Sequence, residues 1–179
     1  MVGAGYVGLT TASCLAQIGH TVIGIDVDSA KIEALNKGII PIVEDGLEAI
    51  TQQMLANHRL TFQLGYSEAI SSCEFIFLCV PTPQDEDGSA DLSYIREAAK
   101  SLSPYLASKS VIVNKSTVPV GSTLVVEDIV RREDIFVVSN PEFLREGSAV
   151  HDFLHPDRIV VGSSNKQAAQ RVADLYQSL

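Results

Sequence analysis

The chain has 179 residues, enough for one domain with its own core. Hydrophobic residues make up 46%, which excludes a disordered chain, and a formal net charge of −9 argues against non-specific binding of nucleic acid. No apolar run reaches membrane-spanning length and no basic-then-apolar signal segment opens the chain, so no membrane partner is expected. The three cysteines, Cys14, Cys73 and Cys79, include no Cys-x-x-Cys pair and fit reduced thiols in the cytoplasm.

Gly3-Ala4-Gly5-Tyr6-Val7-Gly8 runs straight into a helical pattern over Leu9 to Ala16. Gly3 allows a tight turn out of a strand, Gly5 lets a pyrophosphate approach the backbone, and Gly8 lets the helix pack close to a sheet. The helix N-terminus then offers N–H groups and a partial positive charge, the local attraction an anionic ligand needs against an acidic background. The strand that precedes the turn is reduced to Met1-Val2, so the first strand is expected to be truncated and weak.

Thr21 to Asp26 is an apolar strand that ends in a carboxylate. Asp26 lies about twenty residues beyond the glycine motif, the spacing of a dinucleotide fingerprint. A carboxylate there accepts hydrogen bonds from the adenosine ribose and repels a 2′-phosphate, which selects NAD over NADP. The competing reading is a glycine-rich turn plus an Asp that caps the next helix; turn, helix and acidic residue together favour the dinucleotide.

Asp28 to Lys37 reads as a short helix ended by Gly38. Lys31, about one turn in, lies near Asp26, and spacing leaves open whether it reaches the ribose or is solvated. An apolar loop over Ile39 to Ile42, a helix over Gly46 to Asn57, a strand over Leu60 to Phe62 and a helical turn over Ser67 to Ser71 follow. Phe75 to Val80 is continuously apolar, the pattern of a strand buried on both faces. Pro81 and Pro83 force an extended exit and place Thr82 at the strand's carboxyl end, where ligands bind in a doubly wound sheet.

After an acidic loop, Ser93 to Leu106 is amphipathic, with Ile95, Ala98, Ala99, Leu102 and Leu106 on one core-facing stripe. Ser110 to Asn114 is a strand, Lys115 to Gly121 brings the hydroxyls of Ser116 and Thr117 to its carboxyl end, Ser122 to Val130 is a helix, and Phe136 to Ser139 is a strand. Arg158 to Gly162 is expected as the last strand, and Lys166 to Leu179 as a helix still in progress at the last residue. Strands that alternate with helices predict an α/β fold: a doubly wound, Rossmann-like, mostly parallel sheet with helices on both faces. His151 and His155 would share a face only on a helix, Pro156 disfavours a long one, and a third ligand is not obvious, so no metal is expected.

Three blocks carry a resemblance: Gly3-x-Gly-Tyr-Val-Gly-Leu9, Lys115-Ser-Thr-Val-Pro-Val-Gly121 and Asn140-Pro-Glu-Phe-Leu-Arg-Glu-Gly147, the last extended by His151 to Arg158. With them the chain resembles the nucleotide-sugar dehydrogenases, the UDP-glucose/GDP-mannose dehydrogenase family, over nearly its whole length. Its Phe-Leu-Arg-Glu loop is most similar to the UDP-glucose branch and differs from the acetylmannosamine branch.

The resemblance implies that residues 1–179 are the N-terminal NAD-binding domain of a longer, homo-oligomeric enzyme. That enzyme oxidises the 6-hydroxyl of UDP-glucose to a carboxylate with two NAD in succession, through a thioester on a cysteine. It implies Gly3, Gly5, Tyr6, Val7 and Gly8 at the pyrophosphate, Asp26 and Lys31 at the adenosine ribose, and Thr82, Thr117 and Glu146 on the rest of NAD. Glu142, Phe143, Leu144, Arg145 and Glu146 become the substrate loop, and Glu142 with Thr117 positions the water that hydrolyses the thioester. From residues alone, Glu142 after a proline could instead cap a helix.

The family's Gly-Gly-x-Cys segment, which carries the nucleophile, has no counterpart among Cys14, Cys73 and Cys79, so this chain alone is expected to be inactive. The alternatives are a UDP-N-acetyl-hexosamine or GDP-mannose dehydrogenase, another NAD-dependent hydroxyacid-type dehydrogenase, and a non-catalytic NAD-binding module.

Overall fold

The computed structural model describes residues 1–85, 88–116, 119 and 121–179. The chain forms two compact units: Met1–Gly65 with Phe143–Arg158 and Ser178–Leu179, and Tyr66–Glu142 with Ile159–Gln177.

In the first unit β1 (Val22–Asp26) and β2 (Leu60–Leu64) pair in parallel, with Val22 opposite Leu60 and Asp26 opposite Leu64. Gly24 fits this pair because it lacks a side chain: a Cβ there would overlap the ring of buried Phe62. The short first strand survives as one parallel bridge, Val2 to Ile25, supported by Gly3 N–H to the Ile25 carbonyl at 2.8 Å and Ile25 N–H to the Met1 carbonyl at 2.8 Å.

Helix α1 (Tyr6–Gln17) is buried at every position from Gly8 to Ala16. A helix so enclosed must be lined by small or apolar residues, and Gly8, Ala12, Ser13 and Ala16 supply the close approach. Ser13 and Thr51 share a buried 2.8 Å hydroxyl hydrogen bond between α1 and α3 (Leu47–Ala56). Between β1 and α3 lies α2 (Ser29–Asn36), whose N-cap Asp28 accepts from Lys31 N–H.

In the second unit β3 (Phe75–Leu78), β4 (Val111–Asn114) and β5 (Phe136–Ser139) form a parallel sheet in the order β3-β4-β5. Central β4 is buried at every residue, which matches its unbroken apolar run. The helices of this unit are α4 (Ser93–Leu102), α5 (Ser122–Val130) and α7 (Lys166–Asp174). Ile95, Ala98, Ala99 and Leu102 form the buried stripe of α4. That helix stops four residues short of Leu106, because Pro104 has no N–H to continue the ladder and turns the chain into a 3-10 segment, Ser103–Tyr105.

Two further expectations need correction. Arg158 to Gly162 is not a strand: Gly162 alone pairs, antiparallel to Ser139, while Ile159 and Val160 are exposed. Residue type suggested β structure, but the Val160 carbonyl accepts from the Asn140 side chain at 2.9 Å instead of a neighbouring strand. The last helix ends at Asp174, whose carboxylate accepts from the side chains of Gln170 and Gln177 at 2.7 and 2.8 Å. One helix was not expected: α6 (Ala149–Leu154), in the first unit, which brings the rings of His151 and His155 to 4.9 Å. Among the described residues no helix is long and apolar enough to cross a membrane, and no three His, Cys, Asp or Glu side chains group as metal ligands would.

Candidate cofactor site

The first unit holds the glycine turn. Gly3 has φ +93°, a conformation that favours glycine, and Gly5 is the N-cap of α1 in an extended conformation. Among the described residues no side-chain cap bond is made there, and a Cβ built on Gly5 would meet no described atom within 4 Å. Gly5 is itself exposed, so the chain leaves room above it for a diphosphate at the N-terminus of α1. Tyr6 and Val7, the first residues of the helix, are half-buried, and Gly8 is buried.

At the tip of β1, Asp26 is hydrogen-bonded into this turn. Its Oδ2 accepts from the Ala4 N–H at 2.9 Å and from Lys31 Nζ at 2.9 Å, and its Oδ1 accepts from the Asp28 N–H at 3.1 Å. Burial works to raise the Asp26 pKa, but the Lys31 ammonium and the two backbone donors outweigh it and hold the carboxyl below its usual range. Lys31, which spacing left open, is paired to Asp26 rather than simply solvated.

The predicted substrate-loop residues Phe143 to Glu146 belong to the same unit. Phe143, Arg145 and Glu146 are exposed and Leu144 half-buried. The Arg158 guanidinium lies 4.9 Å from the Phe143 ring centroid. Arg145 is fixed by a fork to Asp152, with Nη2 to Oδ1 at 2.6 Å and Nε to Oδ2 at 3.1 Å; its own N–H also donates to Oδ2. The Arg145 guanidinium, with help from its N–H and from Ser148, holds the Asp152 carboxyl far below the usual range.

Glu44 joins turn and loop, and sequence reasoning missed it. It is 7% exposed, at the end of the apolar loop after α2. Its Oε2 accepts from the Tyr6 hydroxyl at 2.6 Å and from Gly147 N–H at 2.8 Å, and its Oε1 accepts from Ala149 N–H at 2.8 Å. The Tyr6 hydroxyl also lies 3.2 Å from the Arg145 carbonyl. The Tyr6 bond, followed by the two backbone donors, lowers the Glu44 pKa despite burial. Spacing could not reveal it, because a lone Glu after Ile39 to Val43 looks like any loop carboxylate.

The second unit holds Thr82 and Glu142, both half-buried; Thr117 lies outside the described residues. Beyond β4, Lys115 is 5% exposed, donates to Asn140 Oδ1 at 3.3 Å and sits 5.8 Å from the Tyr176 ring centroid. Asn140 Oδ1 also accepts from the Tyr176 hydroxyl at 2.6 Å. Burial pulls the Lys115 pKa down to about 8, against the opposing pull of Cys79 and Glu142. Cys14 and Cys79 are both buried, and burial pushes each thiol up to about 12. Cys73 is half-buried, with its Sγ 3.5 Å from the Ala69 carbonyl. The burial of Cys14 and Cys79 is the opposite of the exposed, electropositive surroundings that a nucleophilic thiol needs.

An uncapped glycine turn at a helix N-terminus, with a carboxylate at the tip of the neighbouring parallel strand, defines a dinucleotide-binding domain of the Rossmann class. Comparison narrows this. The profile described as "UDP-glucose/GDP-mannose dehydrogenase family, NAD binding domain" matches residues 1–179, and the chain belongs to that family, as its NAD-binding domain. UDP-glucose 6-dehydrogenase TuaD of Bacillus subtilis is 44% identical over 99% of this chain and 40% of its own length.

Among solved structures, a UDP-glucose dehydrogenase from Pyrobaculum islandicum aligns with TM-score 0.91 and 41% identity, over 98% of this chain and 43% of that one. A GDP-mannose dehydrogenase from Pseudomonas aeruginosa aligns with TM-score 0.92 and 37% identity, over 99% and 43%. The chain spans about two fifths of the length of the curated relatives it matches.

Proposed function

We propose that this chain is the N-terminal, NAD-binding part of a UDP-glucose 6-dehydrogenase, which oxidises the sugar's 6-hydroxyl to a carboxylate. The observation that carries the cofactor part is the open, uncapped turn at Gly5 with Asp26 hydrogen-bonded to it. In this reading Gly3 to Gly8 receive the diphosphate on the N–H groups of α1, and Asp26 with Lys31 binds the adenosine ribose. Thr82, Thr117 and Glu146 contact the remainder of the cofactor. NAD, when bound, supplies the hydride acceptor, used twice per sugar.

Glu142 to Glu146 form the substrate loop. Glu142, with Thr117, orients the water whose oxygen ends in the carboxylate, and Glu142 accepts its proton. The buried, unactivated Cys14 and Cys79 support a nucleophilic thiol from outside this chain, so residues 1–179 alone bind NAD without turning over UDP-glucose. Identity of 42–45% to UDP-glucose 6-dehydrogenases supports UDP-glucose as the sugar.

Calorimetric titration of the chain with NAD and NADP tests the cofactor reading. NAD is expected to bind at least about tenfold more tightly; equal affinities contradict it. Sustained NADH production from UDP-glucose by this chain alone would contradict the placement of the nucleophile.

A further inference from the structure

Two carboxylates anchor the segment from Arg145 to Ala149: Asp152 accepts from Arg145 and Ser148, and Glu44, from a distant loop, accepts from Gly147 and Ala149. Glu44 collects three donors from two places in the sequence: the Tyr6 hydroxyl, and the N–H groups of Gly147 and Ala149, all within 2.8 Å. The last two lie at the start of α6, where a carboxylate also meets the positive end of the helix. Tyr6 is the first residue of α1, directly after Gly5, so its ring is fixed to the same backbone that offers N–H groups to a diphosphate. Its hydroxyl is shared between Glu44, at 2.6 Å in a part-buried bond, and the Arg145 carbonyl, at 3.2 Å in an exposed one, while the Ala149 bond to Glu44 is fully buried.

We propose that Glu44 is a positioning residue that couples dinucleotide occupancy of the glycine turn to the ordering of residues 143–149. This rests on the reading of residues 3–8 as the NAD turn and of 143–146 as the substrate loop. A bound diphosphate holds the α1 N-terminus and with it the Tyr6 ring; the charge-assisted bond to Glu44 transmits that order to the Gly147 and Ala149 amides. With NAD in place the loop is already ordered for the sugar. By linkage, a ligand on the loop tightens NAD by the same factor.

A purely structural Glu44 would cap α6 and nothing more. Tyr6→Phe separates the two roles, because it removes the hydroxyl and leaves both backbone donors on Glu44. The experiment is amide hydrogen exchange by NMR on the 179-residue chain, without NAD and with NAD at a concentration that saturates each variant. In the unmutated chain NAD is expected to slow exchange at Gly147 and Ala149 by about tenfold. In Tyr6→Phe the same amides are expected to change by less than about twofold, and Glu44→Gln is expected to lose the NAD effect as well.

The proposal is overturned if NAD binds the unmutated chain and leaves these amides unchanged, or if it slows them equally in Tyr6→Phe. If Glu44→Gln does not fold, Tyr6→Phe carries the test alone. If NAD perturbs no residue of the turn, the cofactor reading falls, and the coupling with it. NAD-dependent shifts at Gly3 to Gly8 without the loop effect sink the coupling only.

Discussion

Asp26 Oδ2 stands 2.9 Å from the backbone N–H of Ala4, so the carboxylate at the tip of β1 is bonded to the glycine turn itself. One oxygen thus fixes the turn and takes the Lys31 ammonium, while Oδ1 holds the Asp28 N–H. A carboxylate fixed this way cannot swing aside for a 2′-phosphate. At a few ångströms from such a phosphate its charge costs about 1–3 kcal/mol in a partly solvated site. Asp26→Asn is therefore expected to narrow the preference for NAD over NADP by about tenfold or more. Paired titrations of the unmutated and mutated chain check this.

The β1–β2 contact gives a stability prediction. Gly24→Ala places a methyl group where the Phe62 ring lies, and Phe62 is itself buried between neighbours. Overpacking of this kind costs about 1–3 kcal/mol. Urea unfolding should show a lower midpoint with an unchanged slope, whereas Gly5→Ala, built into open space, should change stability far less.

Lys115 gives the alkaline side. Its pKa of about 8 in the folded chain lies below the ordinary 10.5, so between those values the unfolded chain binds more protons. Stability attributable to this group therefore rises with pH across that window, and the penalty at neutral pH is on the order of 3 kcal/mol. Lys115→Met is expected to unfold at higher urea at pH 7 and to lose its advantage by pH 10.5. A constant difference between the two chains at every pH would contradict this.

The acid side rests on three carboxylates with lowered pKa values. Burial raises that of Asp26, but its donors win; Tyr6 leads for Glu44, and the Arg145 guanidinium for Asp152. The folded values lie below the unfolded ones, so their contribution is complete above the unfolded range and is lost as pH falls through the folded values. Acid unfolding should therefore steepen below about pH 4. Glu44→Gln should flatten that limb, as followed by circular dichroism.

Much of this was legible in the residues. The unbroken apolar runs at Phe75 and Val111 gave parallel, doubly buried strands, and the spacing from Gly3 to Asp26 placed carboxylate and turn together, because both signals are local and periodic. Ile159 and Val160 misled, since β-branched residues report a preference while a strand needs an adjacent unpaired edge, and Asn140 had already taken the Val160 carbonyl. Helix α6 escaped notice because its support comes from Glu44, about a hundred residues earlier. Glu44 and the buried Lys115 escaped for the same reason: their importance lies in donors and acceptors that only the fold brings together.

The central claim is that the glycine turn receives the diphosphate, with Asp26 beside the adenosine ribose. A crystal structure of this chain with NAD tests it most directly. The diphosphate is expected over residues 3–8, on the N–H groups that open α1, with the ribose hydroxyls within hydrogen-bond reach of Asp26. A diphosphate bound at any other place on the chain would contradict the account.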